Sequence, residues 1–277
     1  MDAQTLQMPH NHLTILDRFA AACRTDARVV AAFLGGSYAQ GTADAYSDLD
    51  FGLITTDAAY DDFTASCAAF IRRLGEPVFL ENYHGGGADV MFFFFSDGTE
   101  GELALGRESN FTHIHVGPYR VLLDKTGCLT SAVFSGYQPA PTEQRETLRR
   151  LVVWFWHDLA HHFLTPLARG QLWSAYGALE ELRLTCVNLA RLHQNFQATA
   201  EGYEKVEVAL PVVQLAPLEA TLCPLERGAM LQAVRRVVRF YQGLAPHMAQ
   251  THGLPYPAEL ARMLSDRLEK MCDAHGS

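Results

Sequence analysis

Two different spacings of apolar residues divide this chain. Up to about Cys128, short apolar runs alternate with glycine-rich turns, whereas beyond residue 140 the apolar positions recur at helical intervals. In the first part, Leu13, Leu16, Phe19, Ala20 and Cys23 predict a helix over His12–Cys23, and the unbroken run Val29–Leu34 predicts a buried strand. A short helix is expected over Ser37–Ala43, and a second strand over Asp48–Ile54. A longer helix is expected from Ala58 to Leu74, with Asp57 as its cap. Pro77–Tyr83 and Asp89–Phe95 read as strands joined through Gly85-Gly86-Gly87, and Thr99–Leu105 and Tyr119–Leu123 as further strands. Phe92–Phe95 is expected to be buried on both faces of the sheet. The first part is thus an α/β unit with a mixed β-sheet.

The two prolines of Gln138-Pro139-Ala140-Pro141-Thr142 mark a linker, and a helix is expected to start near Thr142. After it, Leu148, Leu151, Val152, Phe155 and Leu159 keep the helical period. So do Leu179, Leu182, Leu189 and Leu192, and then Met230, Val234, Val237, Val238 and Tyr241. The expected organisation is a first domain over 1–138 and an all-α helical bundle over 142–277.

The most informative chemistry lies between the first two strands. Gly35-Gly36-Ser37 forms a glycine-serine turn, and Ser47-Asp48-Leu49-Asp50 follows it. Along a strand, Asp48 and Asp50 share a face while Leu49 and Phe51 point to the core. Two adjacent carboxylates repel each other and call for a cation between them. Mg²⁺ suits such oxygen ligands and leaves room in its shell for substrate phosphates. Backbone N–H groups at Gly36 and Ser37, with the Ser37 hydroxyl, offer what those phosphates need. Ser47 joins Gly36 and Ser37 as a candidate nucleotide-binding residue.

Gly36-Ser37, Gly41 and Asp48-Leu49-Asp50 at the head of a strand resemble the signature of the DNA polymerase β-like nucleotidyltransferase superfamily. Within it the chain is most similar to the antibiotic nucleotidyltransferases, particularly the lincosamide enzymes with a helical C-terminal domain. Tyr119–Leu129, Leu148–Asn195 and Pro255–Met271 resemble later segments of that family. The resemblance implies that Gly101-Glu102-Leu103 carries a third carboxylate, so Asp48, Asp50 and Glu102 are the candidate catalytic and metal-ligating residues. Glu100, on the same strand face, is the rival to Glu102. Aspartate is the more frequent third carboxylate in the superfamily, and glutamate matches the lincosamide branch. The implied reaction uses one or two Mg²⁺ ions to move a nucleoside monophosphate, AMP from ATP, onto a hydroxyl of a small antibiotic, a lincosamide first. The alternatives are an aminoglycoside acceptor, a protein or RNA acceptor as in toxin–antitoxin pairs, and a nucleotide-binding module without turnover.

Charge narrows this further. A net charge of −9 is the wrong sign for a polymerase, which needs a basic face for phosphates. No nucleic-acid partner is therefore expected, and a homodimer is left open. Six cysteines with no C-x-x-C pair argue against a zinc or disulfide framework and for a reducing compartment. Met1–Leu6 has no signal-peptide character, and Val90–Phe95 is too short to span a bilayer, so a cytoplasmic enzyme is expected. In the helical half, His157 and His161 stand one turn apart beside Asp158 and His162, yet no third metal ligand is identifiable, so a polar or capping role is expected. Trp154, Trp156, Trp173 and Tyr176 are expected to pack in the core or between domains, and Glu180-Glu181 to face solvent.

Overall fold

The computed structural model describes residues 10–85, 88–130, 133–134, 139–197 and 201–276. The expectations on Met1–Leu6, Gly86-Gly87 and Gln138 lie outside them. The chain divides into two compact units, Met1–Tyr137 and Gln138–Ser277.

The first unit runs α1 (His10–Thr25), β1 (Val29–Leu34), α2 (Gly36–Gln40), β2 (Leu49–Thr55), a 3₁₀ turn (Asp57–Ala59), α3 (Tyr60–Ile71), β3 (Pro77–Gly85), β4 (Ala88–Phe95), β5 (Glu100–Arg107) and β6 (Arg120–Asp124). The strands form one six-stranded sheet in the order β3-β4-β5-β2-β1-β6. It is mixed: β2 and β5 run parallel, and the other pairs are antiparallel. Side chains alternate across it. Leu34, Leu49, Phe51, Leu53, Phe93 and Leu103 face α1 and α3, where Phe19, Phe63 and Phe70 close the core. The opposite face carries Phe33, Ile54 and Val90, covered by Phe111, Ile114 and Phe134.

Two expectations are corrected here. Phe93 and Phe95 are buried, but Phe92 and Phe94 are only half-buried, because the opposite face of β4 is incompletely covered. Asp57 does not cap the following helix; its Oδ1 accepts hydrogen bonds from the Ser109 N–H and Oγ at 3.1 and 3.0 Å, tying two connections together.

The second unit is helical: α4 (Pro141–Asp158), a π-helical turn (Leu159–Leu164), α5 (Thr165–Ala168), α6 (Leu172–Gln194), α7 (Val206–Ala209), α8 (Val212–Glu219), α9 (Arg227–Thr251) and α10 (Ala258–Gly276). Its core centres on Phe155, Trp156 and Tyr241, with the Phe155 and Tyr241 rings stacked at 3.6 Å. Arg183 is buried and satisfied by Thr221, donating from Nε to Oγ1 at 2.7 Å and from Nη2 to the carbonyl at 3.0 Å. Pro166 supplies a reason for the π turn: it cannot donate to the His162 carbonyl and would crowd it in a regular helix. Thr165 Oγ donates instead to the Ala160 carbonyl at 2.9 Å. Trp156 is buried as expected, whereas Trp154 and Trp173 are 49% and 81% exposed and take no part in the core.

Candidate active site

The register of the sheet assembles the site. Asp50 on β2 lies directly opposite Glu102 on the parallel strand β5, and Phe92 on β4 lies opposite Glu102. Paired residues point to the same face, so Asp50 and Glu102 stand side by side on the face turned away from α1 and α3. Asp48 precedes β2 by one residue and is exposed. Both Asp48 and Glu102 act on Asp50. Its carboxyl is pushed up to about 6, first by desolvation, then by the charges of Asp48 and Glu102. Glu100 pairs with Phe94 one step outward and is exposed, while Glu102 lines the cavity with Asp50.

That cavity, of about 250 Å³, is lined by Phe33, Gly35, Gly36, Asp50, Glu102 and His115, among others. The chain turns from β1 into α2 at its rim, where the Gly35 N–H donates to the Asp50 carbonyl at 2.9 Å. Gly36 has φ +52°, and a Cβ there would fall 1.8 Å from Asp50 Oδ2. The backbone therefore passes the carboxylate at a distance that no side chain allows. The Ser37 hydroxyl is buried and has no hydrogen-bond partner. A buried hydroxyl without a partner costs free energy unless a ligand completes it. Tyr38 anchors α2 from below through a 2.6 Å hydrogen bond with His12, whose imidazole is held below its ordinary value by burial. The first-turn N–H groups of α2 are free of intrahelical partners, as at any helix start.

These features fit a divalent cation and a polyphosphate. Asp50 and Glu102, the former uncomfortable without a counter-charge, stand beside a glycine cradle and an orphaned hydroxyl; Asp48 lies at the exposed edge, and the oxygens of the three carboxylates do not all come within 4.8 Å of one another. Ser47 is placed differently from Gly36 and Ser37. Its Oγ accepts from the Asp44 N–H at 2.8 Å and donates to Asp44 Oδ1, closing the turn that leads into Asp48.

Two residues at the site had no role in the sequence reading. Tyr83 on β3 donates its phenol to Glu102 Oε2 at 3.0 Å, and burial and the carboxylate together push the phenol up. The period-two pattern of β3 carried a signal for it, since Tyr83 shares a face with Glu81, which aligns with Phe92 and Glu102. His115 lines the cavity from the loop after β5 and donates Nε2–H to the Pro118 carbonyl at 2.9 Å. Nothing in its sequence neighbourhood marked it.

The Asp50 shift makes a stability prediction. A carboxyl near 6 in the fold and near 3.8 in the unfolded chain keeps its proton longer in the fold. As pH rises from about 4 to about 6, the metal-free protein should therefore lose stability, by about 2 kcal/mol after allowing for partial solvation. Asp50→Asn should abolish that component. Thermal unfolding of both proteins across this window, in the presence of a chelator, tests it; parallel curves would reject the assignment.

A family model described as streptomycin adenylyltransferase matches residues 10–271. No curated protein matches the chain significantly. Among solved structures, an aminoglycoside 6-adenyltransferase from Bacillus subtilis aligns at 16% identity over 93% of this chain and 96% of that one, with a TM-score of 0.43. A nucleotidyltransferase-like protein from Exiguobacterium sibiricum aligns at 13% identity over 84% and 74% of the two chains, with a TM-score of 0.37.

Proposed function

We propose that this chain, which belongs to the streptomycin adenylyltransferase family, transfers AMP from ATP to a hydroxyl of an aminoglycoside and releases pyrophosphate. Family membership makes it a nucleotidyltransferase of the antibiotic-resistance type, with a nucleoside triphosphate and a small molecule as substrates. The family description names streptomycin, an aminoglycoside, which favours that class over the lincosamide first expected. The observation that carries the chemistry is the pairing of Asp50 with Glu102 beside Gly36 and Ser37.

Asp48, Asp50 and Glu102 would hold Mg²⁺, which on binding neutralises phosphate charge and lowers the pKa of a nearby hydroxyl. The backbone N–H groups of Gly36 and Ser37 and the Ser37 hydroxyl bind and orient the β and γ phosphates, fixing the α phosphorus for in-line attack. Glu102, its Oε2 held by Tyr83, accepts the proton of the attacking hydroxyl. Ser47 keeps Asp48 in place through the Asp44 turn.

The reading is tested by incubating the protein with Mg²⁺, each nucleoside triphosphate and a panel of aminoglycosides and lincosamides. A nucleotide mass increment on an aminoglycoside supports it. An increment confined to lincosamides overturns the acceptor class, and none on any compound overturns the function. Tyr83→Phe should slow transfer by up to about tenfold, the worth of one hydrogen bond to a partly solvated carboxylate. Steady-state rates at saturating substrates measure this; an unchanged rate would remove Tyr83 from the site.

A further inference from the structure

The π turn at Leu159–Leu164 rearranges the histidines around it. His157 and His162 are five residues apart, which in a regular α-helix places them about 140° apart around the axis. The wider winding of a π turn returns residues five apart to one face. His157 Nδ1 lies 3.1 Å from Asp158 Oδ1, and His162 Nε2 lies 3.9 Å from the same oxygen. One ligand atom from each of the three residues falls within 4.8 Å of the others. A third imidazole adjoins the pair, since the His161 ring stacks on His157 at 5.4 Å and meets His162 edge-on at 4.9 Å.

We propose that His157, Asp158 and His162 form a binding site for a late first-row divalent metal ion, with Zn²⁺ as the reference ion and water completing its shell. Zn²⁺ with ligand bonds of about 2.1 Å sets neighbouring ligand atoms about 3.4 Å apart. The His157–Asp158 pair already meets this spacing, and the His162 contact needs a closure of well under 1 Å from a solvent-exposed side chain. Two imidazoles and a carboxylate select nitrogen-preferring ions, so Mg²⁺ does not compete. The site lies in the helical unit and does not depend on the proposed transfer reaction. It also couples the ion to backbone geometry. A regular α-helix cannot bring both rings to one ion, so binding pins the π turn.

The test uses the untagged full-length chain, stripped with a chelator and carrying Asp50→Asn so that the carboxylate site does not take up the probe. Zn²⁺ is titrated by calorimetry in excess Mg²⁺ with the thiols alkylated. About one equivalent should bind with a dissociation constant of about 10 μM or lower. His157→Ala and His162→Ala should each weaken binding by about 100-fold, because even groups that merely support a ligand cost up to that much. His161→Ala should keep the parent affinity. These side chains are largely exposed, so the variants fold, and circular dichroism checks that they do. Zn²⁺ should also slow amide exchange across 159–164 in the parent and not in His162→Ala. Unchanged affinity in His162→Ala, equal loss in His161→Ala, or no binding at 10 μM would each overturn the site.

Discussion

Asp50→Asn is expected to lower the transfer rate by at least about 1,000-fold while leaving the protein folded. Losing one preorganised electrostatic partner of a transition state costs about 100- to 1,000-fold. Asp50 occupies the centre of the group, between Asp48 and Glu102, so its loss removes charge that both neighbours share. Glu102→Gln should cost a similar factor, because the amide neither accepts a proton nor carries charge. Asn and Gln keep the size of the side chains, and the apolar packing beneath them, Leu49, Phe51 and Leu103, is untouched. Asp50→Asn should raise the unfolding midpoint of the metal-free protein above pH 6, since a desolvated charge is removed. Single-turnover AMP transfer with circular dichroism measures both sides. An active Glu102→Gln enzyme would move the role to Glu100, which the sheet places one pair further out.

Gly36→Ala is the second large effect. The new methyl would lie 1.8 Å from Asp50 Oδ2, at a backbone φ of +52° that disfavours any side chain. The left-handed conformation alone costs about 1–2 kcal/mol. Relief of the collision must come from moving Asp50 or from shifting the start of α2 off the phosphate position. Either movement displaces a group whose placement matters to within about 1 Å, so a rate loss of about 100-fold is expected. Nucleotide affinity and rate should fall together, because phosphate and metal sites are disturbed at once. Gly41→Ala, at φ +72° but with open space around its Cβ, provides the comparison: it strains the backbone without touching a carboxylate. If both variants lose rate equally, the close approach to Asp50 is not the cause.

Much of this site is legible in the chain because its chemistry is local. Gly36, Ser37, Asp48 and Asp50 lie within fifteen residues, and a strand's alternation is enough to orient Asp50 outward and Leu49 inward. Strand Val29–Leu34 is likewise written in six consecutive apolar residues. Glu102 required the family resemblance, since nothing in residues 100–102 separates two glutamates on one face; the parallel register with Asp50 separates them. Tyr83 shares a face with Glu81 by strand alternation, but its pairing with Glu102 across β4 depends on register, and His115 had no local pattern to announce it. The misreading of Phe92–Phe95 has the same origin. Four consecutive phenylalanines look doubly buried, but coverage of the outer face depends on loops whose course spacing does not encode. The π turn escaped notice because a helical period assumes 3.6 residues throughout, and Pro166 signals a break without specifying a wider turn.

The single parallel pairing between β2 and β5, among the described strands, has a consequence for how the protein comes into being. Antiparallel neighbours such as β3 and β4 are joined by a short connection and can zip early, at small entropic cost. Asp50 and Glu102 meet only after the chain between them has formed α3, β3 and β4 and returned β5 to the middle of the sheet. Long-range pairings of this kind are slow steps in folding. The carboxylate cluster can thus form only once β5 has paired with β2, and a nascent chain holds no competent charge cluster before that pairing.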